Sequence, residues 1–217
     1  MKPSTHAPQA LPEPPALRRL TKALATLDAV LCPEWQYRHH SFNSRWGVGE
    51  QMASMRDGSG DEWFLLFAPW GVALKGLAHE SPLARVPGFA VRIQQSVPAD
   101  FASFLHEPAF CMDQATFCLW RGRADTRWSV VSADGGPASA DADGSAELLA
   151  ILDGDPRTYQ AWAQDYYERD VPLEAVRALY EHQALDVDLV AALNPELALA
   201  DLRPDTDEIG YPEAPDA

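Results

Sequence analysis

Two adjacent histidines, His39 and His40, are candidates for acid–base chemistry by residue type. Histidine exchanges protons near neutral pH, and a carboxylate placed beside the ring can orient it and set its basicity. A sheet would bring an acid from the stretch 50–62 alongside, namely Glu50, Asp61 or Glu62. Because neighbouring residues of a strand point to opposite faces, the two histidines cannot chelate one ion together. The pattern suits a small hydrolase-like enzyme that uses His39 or His40 with Glu62.

The glycine-rich stretch 45–67 does not have the spacing of a phosphate-binding loop. A dinucleotide fingerprint needs a third glycine three residues after the second, and Met52 stands there after Gly47 and Gly49. A P-loop ends in Gly-Lys followed by serine or threonine, a combination that the chain lacks. The sequence DGSGD at 57–61 is typical of a tight turn, because glycine adopts the positive φ that such turns require. We therefore expect structural glycines and no nucleotide cofactor.

The cysteines and the acidic loop also lack the spacing of a metal site. Cys111 and Cys118 are separated by six residues, which is not the paired spacing of a zinc set. The stretch 139–150 partly follows a calcium loop, but Ala150 stands where a bidentate glutamate is required. Together with Cys32, the cysteines are interpreted as reduced and mostly buried thiols of a reducing compartment. We expect no metal ion, no other cofactor and a cytoplasmic location.

Aromatic and acidic residues form a second group of candidate functional residues. Tryptophan and tyrosine are enriched at the hot spots of protein interfaces. The candidate binding residues are Trp35, Tyr37, Trp46, Trp70, Asp165, Glu168 and Asp170. The same density of aromatic residues also suits a pocket for a small ligand, and this alternative stays open.

Charge is distributed very unevenly along the chain. Residues 1–132 contain 13 basic and 12 acidic residues, whereas residues 133–217 contain 4 basic and 20 acidic ones. Such an acidic surface repels phosphate backbones and anionic lipids, because nucleic-acid affinity depends on lysine and arginine that neutralise phosphates. The longest apolar stretch, 64–74, is also far shorter than the roughly 20 residues of a membrane span. We predict a basic protein partner, and neither nucleic acid nor membrane.

The elements that position these residues follow from hydrophobic spacing. Steps of three and four predict an amphipathic helix that ends at Cys32-Pro33, with an apolar stripe of Leu17, Leu20, Leu24, Leu27 and Leu31. Buried-type and alternating runs predict a hairpin of strands at 50–56 and 62–68, followed by a third strand after the PWG turn. Ser96 is expected to cap a helix whose first turn contains Pro98.

The second half of the chain continues with two strand-like runs, ATFCLWRG and TRWSVVS, and then becomes helical. Asp155 is expected to cap a helix in which Tyr159, Trp162 and Tyr166 lie on the core side. The predicted fold is α+β, with a mainly antiparallel sheet, covering helices and an acidic helical C-terminal lobe. The expected divisions are a flexible tail at 1–15, an α+β domain at 16–132, an acidic loop at 133–144, a helical lobe at 145–203 and an acidic tail at 204–217.

One segment has the pattern of a proline-initiated helix with an apolar face. Its matching positions are Val97, Pro98, Phe101, Phe104 and Leu105. This segment resembles a helix of the SUKH-type immunity proteins, a family in which that helix accompanies an antiparallel sheet. The stretch 96–122, with DGDP-TYQ and ALNPEL further along, is also similar to a family of uncharacterised bacterial cytosolic proteins. These resemblances imply an α+β fold, and the first implies binding of a protein partner.

Three functional hypotheses follow from the sequence. The leading one is a non-catalytic acidic binding protein, immunity-like or regulatory, that engages a basic protein through its helical lobe. The second is the hydrolase-like enzyme, and the third is a protein that binds a small ligand in an aromatic pocket.

Overall fold

The computed structural model describes residues 2–131 and 141–212, and its centre in this part of the chain is a six-stranded antiparallel sheet. The strands lie beside one another in chain order, so each pairs with the next. They are β1 (His40–Gly47), β2 (Glu50–Arg56), β3 (Glu62–Ala68), β4 (Gly71–Leu77), β5 (Phe117–Gly122) and β6 (Ser129–Val130). The predicted α+β fold with a mainly antiparallel sheet is confirmed.

Helices cover both faces of the sheet. The described helices are α1 (Pro14–Leu31), α2 (Phe89–Ser96), α3 (Ala102–Leu105), α4 (Ser145–Leu148), α5 (Pro156–Tyr166), α6 (Leu173–Tyr180), α7 (Val187–Leu193) and α8 (Arg203–Ile209). Helices α1 and α5–α8 contribute to one apolar core, and α2 and α3 contribute to a second core on the other face.

The alternation of side chains along β3 explains why both faces are apolar. Trp63, Leu65 and Phe67 belong to the core under α1, whereas Phe64 and Leu66 belong to the core under α2. Successive side chains of a strand point to opposite faces, so the uninterrupted apolar run of β3 requires cover on both sides. The strand register places His40, Met55 and Trp63 side by side on the face of the sheet that α1 covers.

The turn between β2 and β3 has the structure that its sequence predicts. The carboxylate of Asp57 accepts hydrogen bonds from the backbone N–H groups of Ser59, Gly60 and Asp61. Gly58 and Gly60 have φ values of 77° and 128°, which non-glycine residues rarely adopt. These glycines therefore shape the hairpin.

The segment around Ser96 differs from the prediction. Ser96 is the last residue of α2 rather than a cap, and its hydroxyl donates to the carbonyl of Arg92. After Pro98 the chain forms a single 3-10 turn and then the four-residue helix α3. Because proline disfavours helical geometry in the residue before it, α2 ends here and no longer helix forms.

Both expected tails contribute to the packing where the structure describes them. The backbone N–H of Thr5 donates to the hydroxyl of Ser145 over 3.0 Å, and Leu11 lies in the core under α1. At the other end, Ile209 and Tyr211 enter the same core. Apolar side chains in both segments gain burial free energy from this docking, which composition alone does not indicate. Of the expected loop at 133–144, residues 133–140 lie outside the described residues.

Candidate functional site

The most polar part of the main core is a hydrogen-bonded group of Asp28, His40 and Tyr159. Asp28 is fully buried on α1, and its Oδ2 accepts the backbone N–H of His40 over 2.7 Å and lies 3.1 Å from His40 Nδ1. The hydroxyl of Tyr159, on α5, donates to Asp28 Oδ1 over 2.6 Å. These bonds join the helix α1 to the first strand and to the helix α5. We call this set the buried triad.

Burial and hydrogen bonding shift the pKa of Asp28, the acid of the buried triad, in opposite directions. Burial alone would raise the pKa of Asp28, but attraction to the His40 ring and hydrogen bonds from His40 and Tyr159 together hold it below its ordinary value. Burial, with the charge of Asp28 nearby, raises the pKa of Tyr159 well above its ordinary value. Asp28 is therefore an ionised acceptor and Tyr159 a neutral donor.

His39 lies outside the triad, between aromatic rings of α5. Its ring centroid is 5.0 Å from that of Trp162 and 4.2 Å from that of Tyr166. Its Nε2 atom is buried and has no hydrogen-bond partner among the described residues. Burial, assisted by the neighbouring His40, lowers the pKa of His39 to about 4. A histidine in this setting stays neutral at physiological pH.

This environment predicts a specific pH dependence. The unfolded chain takes up a proton on His39 near pH 6.5, whereas the folded chain does so only near pH 4. The unfolded state therefore binds more protons between these values, and the free energy of unfolding falls as the pH is lowered through this window. We expect the His39→Phe variant, which keeps a ring between Trp162 and Tyr166, to lose this part of the pH dependence. NMR titration of the histidine rings, with denaturation at pH 5 and 7.5, measures both effects, and a His39 pKa near 6.5 would contradict them.

The structure does not bring Glu62 to either histidine. The Glu62 carboxylate lies 2.6 Å from Nζ of Lys75, whose side chain is fully buried. Glu62 and Phe64 share the face of α2, whereas Trp63, beside His40, faces α1. The sheet therefore separates the expected acid from the expected base. Glu50 lines a groove at the far end of β2, and Asp61 pairs with His79.

The predicted binding residues separate into two groups. Trp46 and Trp70 are half-buried against the core under α2, where Trp46 stacks on Phe110 and Trp70 contacts Phe101. Trp35 and Tyr37, by contrast, are 61% and 56% exposed. The first pair has mainly a packing role, and the second pair is available to a partner.

Trp35 and Tyr37 lie beside the acidic end of α5. The hydroxyl of Tyr166, which is 40% exposed, donates to the carbonyl of Tyr37 over 3.2 Å. Arg169 donates to the carbonyl of Leu31, the last residue of α1, which lies four residues before Trp35. The acids of this region, Asp165, Glu168 and Asp170, are exposed. We define the acidic aromatic surface as Trp35, Tyr37, Asp165, Tyr166, Glu168 and Asp170.

Arg38 fixes the position of the short turn Trp35–Tyr37, which carries the two exposed aromatic side chains. Its guanidinium donates to the carbonyls of Cys32 and Pro33 and makes a two-pronged pair with Asp205 of α8, the shorter contact being 2.6 Å. The side chain is only 6% exposed. A guanidinium with this many acceptors has little freedom, so Trp35 and Tyr37 protrude from a fixed loop.

The acidic residues remain exposed in the fold. Residues 141–212 contain 17 acidic residues and 4 arginines, and 12 of these acids are exposed. Within the described residues, the Arg38–Asp205 contact is the ion pair that joins an acid of this segment to a base of the first 131 residues. The other acids of residues 141–212 form no ion pair with a base of residues 2–131.

No group of three or more histidine, cysteine or acidic side chains is arranged for metal binding within residues 2–131 and 141–212. None of the helices in those ranges has the length and hydropathy of a bilayer span. The sequence matches no protein-family model, and no curated protein or solved structure matches it significantly. The resemblance to immunity proteins therefore stays a prediction.

Sequence reasoning missed Asp28, Tyr159 and Tyr166 as members of these sites. Asp28 carried a signal, because it is an acid within the apolar part of α1, where an unpaired charge would be very costly. Tyr159 and Tyr166 both fitted the core side of α5 by spacing, yet Tyr159 is buried and Tyr166 is exposed. Helical spacing does not show where the covering elements end.

Proposed function

We propose that this chain is a non-catalytic binding protein that engages a basic protein segment through its acidic aromatic surface. The observation that carries the proposal is the exposure of Trp35, Tyr37 and Tyr166 beside carboxylates that form no ion pair within the described residues. Large aromatic side chains that are exposed together cost solvation free energy in the free protein, and a partner that covers them recovers it.

The chemistry of the surface favours arginine and lysine in the partner. A guanidinium or ammonium over an exposed aromatic ring gains about 0.5–1 kcal/mol, and an exposed ion pair adds about 0.2–1 kcal/mol. The excess of acids across residues 141–212 adds a long-range field that speeds the encounter with a cation and weakens as salt is added. Aromatic contacts would supply specificity, and the field would supply the association rate.

The hydrolase-like alternative has less support in the geometry. His40 is 4% exposed and bonded to a fully buried acid, so a substrate has no route to its ring. His39 has a depressed pKa, and among the described residues no carboxylate is bonded to it, since its neighbours are the rings of α5. A general base needs both access and an orienting partner, and each histidine has at most one of these.

A labelled arginine-rich peptide provides the test. Fluorescence anisotropy at increasing salt should show saturable binding that weakens with ionic strength. The Trp35→Ala/Tyr37→Ala variant and the Asp165→Asn/Glu168→Gln/Asp170→Asn variant should each raise the Kd at least about tenfold, the equivalent of about 1.4 kcal/mol.

The matched control removes three acids of the first half that are exposed elsewhere, Glu80→Gln/Asp100→Asn/Asp113→Asn. It changes the net charge by the same amount, so it should raise the Kd less than about threefold if position matters. An equal loss of affinity in both triple variants would mean that binding depends only on the net charge of the protein, and it would overturn the proposed surface. Hydrolysis that depended on His39 would instead favour the enzyme alternative.

A further inference from the structure

A groove of about 1000 Å³ lies at one end of the sheet, away from the residues of the acidic aromatic surface. The turns 47–50, 68–71 and 122–125 border it because a chain-order antiparallel sheet places alternate turns at the same end. The start of α1 closes one side, and the buried side chains Phe67 and Val72 contribute apolar surface. Its volume is at the upper end of the range for small-molecule sites.

The groove is positively charged, in contrast to the chain as a whole. Its charged lining residues are Arg18, Arg45, Arg121 and Arg123, against Glu13, Glu50 and Asp125. This is an excess of one positive charge within a chain of net charge −15. A cationic recess on an anionic protein is a selective place for an anion, because the surrounding surface repels it.

The four arginines differ in availability. The Arg121 guanidinium lies 2.9 Å from Glu13, and its Nε donates to the carbonyl of Asp125. Arg45 donates to the carbonyl of Asp207. Arg18 and Arg123 are exposed, and neither has a carboxylate within ion-pair distance among the described residues. These two guanidinium groups are therefore free to bind a ligand carboxylate or phosphate.

Gln51 also lines the groove and, within the part of the chain that the structure describes, has a side-chain acceptor without a donor. Oε1 of Gln51 is buried and has no hydrogen-bond partner among the described residues. Leaving a buried acceptor unpaired costs about 1–3 kcal/mol, so a rotation of the side chain that turned Oε1 toward a ligand N–H or O–H in the groove would be favoured. The glycines of the turns, Gly47, Gly49 and Gly71, leave the backbone accessible beside it.

We infer that this groove binds a small organic anion with an apolar body. Its acidic group meets Arg18 and Arg123, its ring or chain packs on Phe67 and Val72, and a donor group reaches Gln51. This site is separate from the proposed function, because its residues and its charge preference both differ from those of the acidic aromatic surface. Each of the two proposals can therefore fail without the other.

The probe is 1-anilinonaphthalene-8-sulfonate, an aromatic sulfonate whose fluorescence rises in apolar surroundings. N-phenyl-1-naphthylamine has the same aromatic body without the anionic group and serves as the neutral comparison. The wild-type protein should bind the sulfonate saturably and more tightly than the amine. Arg18→Glu/Arg123→Glu should raise the Kd of the sulfonate at least about tenfold and change that of the amine less than about threefold.

The matched control is Arg85→Glu/Arg92→Glu, which makes the same change in net charge at two exposed arginines outside the groove. It should change the Kd of the sulfonate less than about threefold. Equal losses in the two double variants, or no saturable binding of the sulfonate, would overturn the inference. Binding of a tetraglutamate peptide without binding of the sulfonate would also overturn it, because the groove would then accept an acidic peptide rather than a small anion. All four substituted side chains are exposed, and circular dichroism should confirm that the variants fold.

Discussion

Replacement of Asp28 by alanine is expected to lower the free energy of unfolding by about 3–5 kcal/mol, the range for removing one partner of a buried interaction that contains a charge. Asp28 is fully buried and accepts hydrogen bonds from the backbone N–H of His40 and from the hydroxyl of Tyr159. Its removal leaves both donors without their acceptor in a core that excludes water, and it opens a small cavity. Denaturation by guanidinium chloride at pH 7, with matched far-UV circular dichroism, measures the loss.

Two milder variants separate the contributions within the buried triad. Tyr159→Phe removes one hydrogen bond and should cost about 1–2 kcal/mol, because Asp28 keeps its bonds from His40. Asp28→Asn preserves the shape and one acceptor, so its cost should lie between those of the other two variants. If all three variants had the same stability as the wild type, the triad would not hold α1, β1 and α5 together.

The pH dependence gives an independent check on the charge of Asp28. Its folded pKa lies below its unfolded value, so its contribution to stability is complete above about pH 3.9 and is lost as the pH falls through the folded pKa. Asp28→Asn should therefore flatten the acid side of the stability curve. It should leave the loss between pH 6.5 and 4 that arises from His39 in place.

The sequence predicted the parts of this fold that local spacing determines. The leucine stripe of α1, the β2–β3 hairpin and the Asp155 cap of α5 are all present, because each depends on residues close together in the chain. Asp155 caps the helix through its side chain, which accepts a hydrogen bond from the backbone N–H of Arg157. These local signals sufficed for the α+β class.

The rest depends on contacts between distant residues, which spacing does not report. Thr5 bonds Ser145, and Tyr211 packs in the core, so both expected tails dock on the main body. Trp46 stacks on Phe110, whereas Trp35 is 61% exposed, although both tryptophans belong to one short stretch of sequence. Exposure separated the candidate binding residues, and exposure is a property of the tertiary structure.

The distribution of charge connects the two proposed sites. The acidic residues of 141–212 stay largely exposed, and the arginines of the groove come from α1 and from turns or strand ends of the first half. The two surfaces lie toward opposite ends of β1: Trp35 and Tyr37 precede its first residue, His40, and the groove includes its last residue, Gly47. A field with two poles would orient a charged partner as well as attract it.

The second large effect is expected at Lys75, where removing the acid should cost more than removing the base. The side chain of Lys75 is fully buried, with 0% exposed. Its Nζ lies 2.6 Å from the carboxylate of Glu62, whose side chain is 21% exposed. Glu62→Ala leaves an ammonium ion buried without its partner, and about 3–5 kcal/mol of stability should be lost. Lys75→Met fills a similar volume without charge and leaves a carboxylate that water can reach. Its cost should be below about 1.5 kcal/mol.

The double variant Glu62→Gln/Lys75→Met tests whether this asymmetry comes from the buried charge. If it does, the double variant should be about as stable as Lys75→Met alone, because Glu62 has no buried ion left to neutralise. Glu62→Gln alone should be clearly less stable than the double variant, so adding the second substitution restores stability. Equal costs for the two single substitutions would mean that Lys75 reaches solvent when its partner is removed. The contrast would also identify Glu62 as a structural counter-ion of the sheet, in keeping with its separation from His39 and His40.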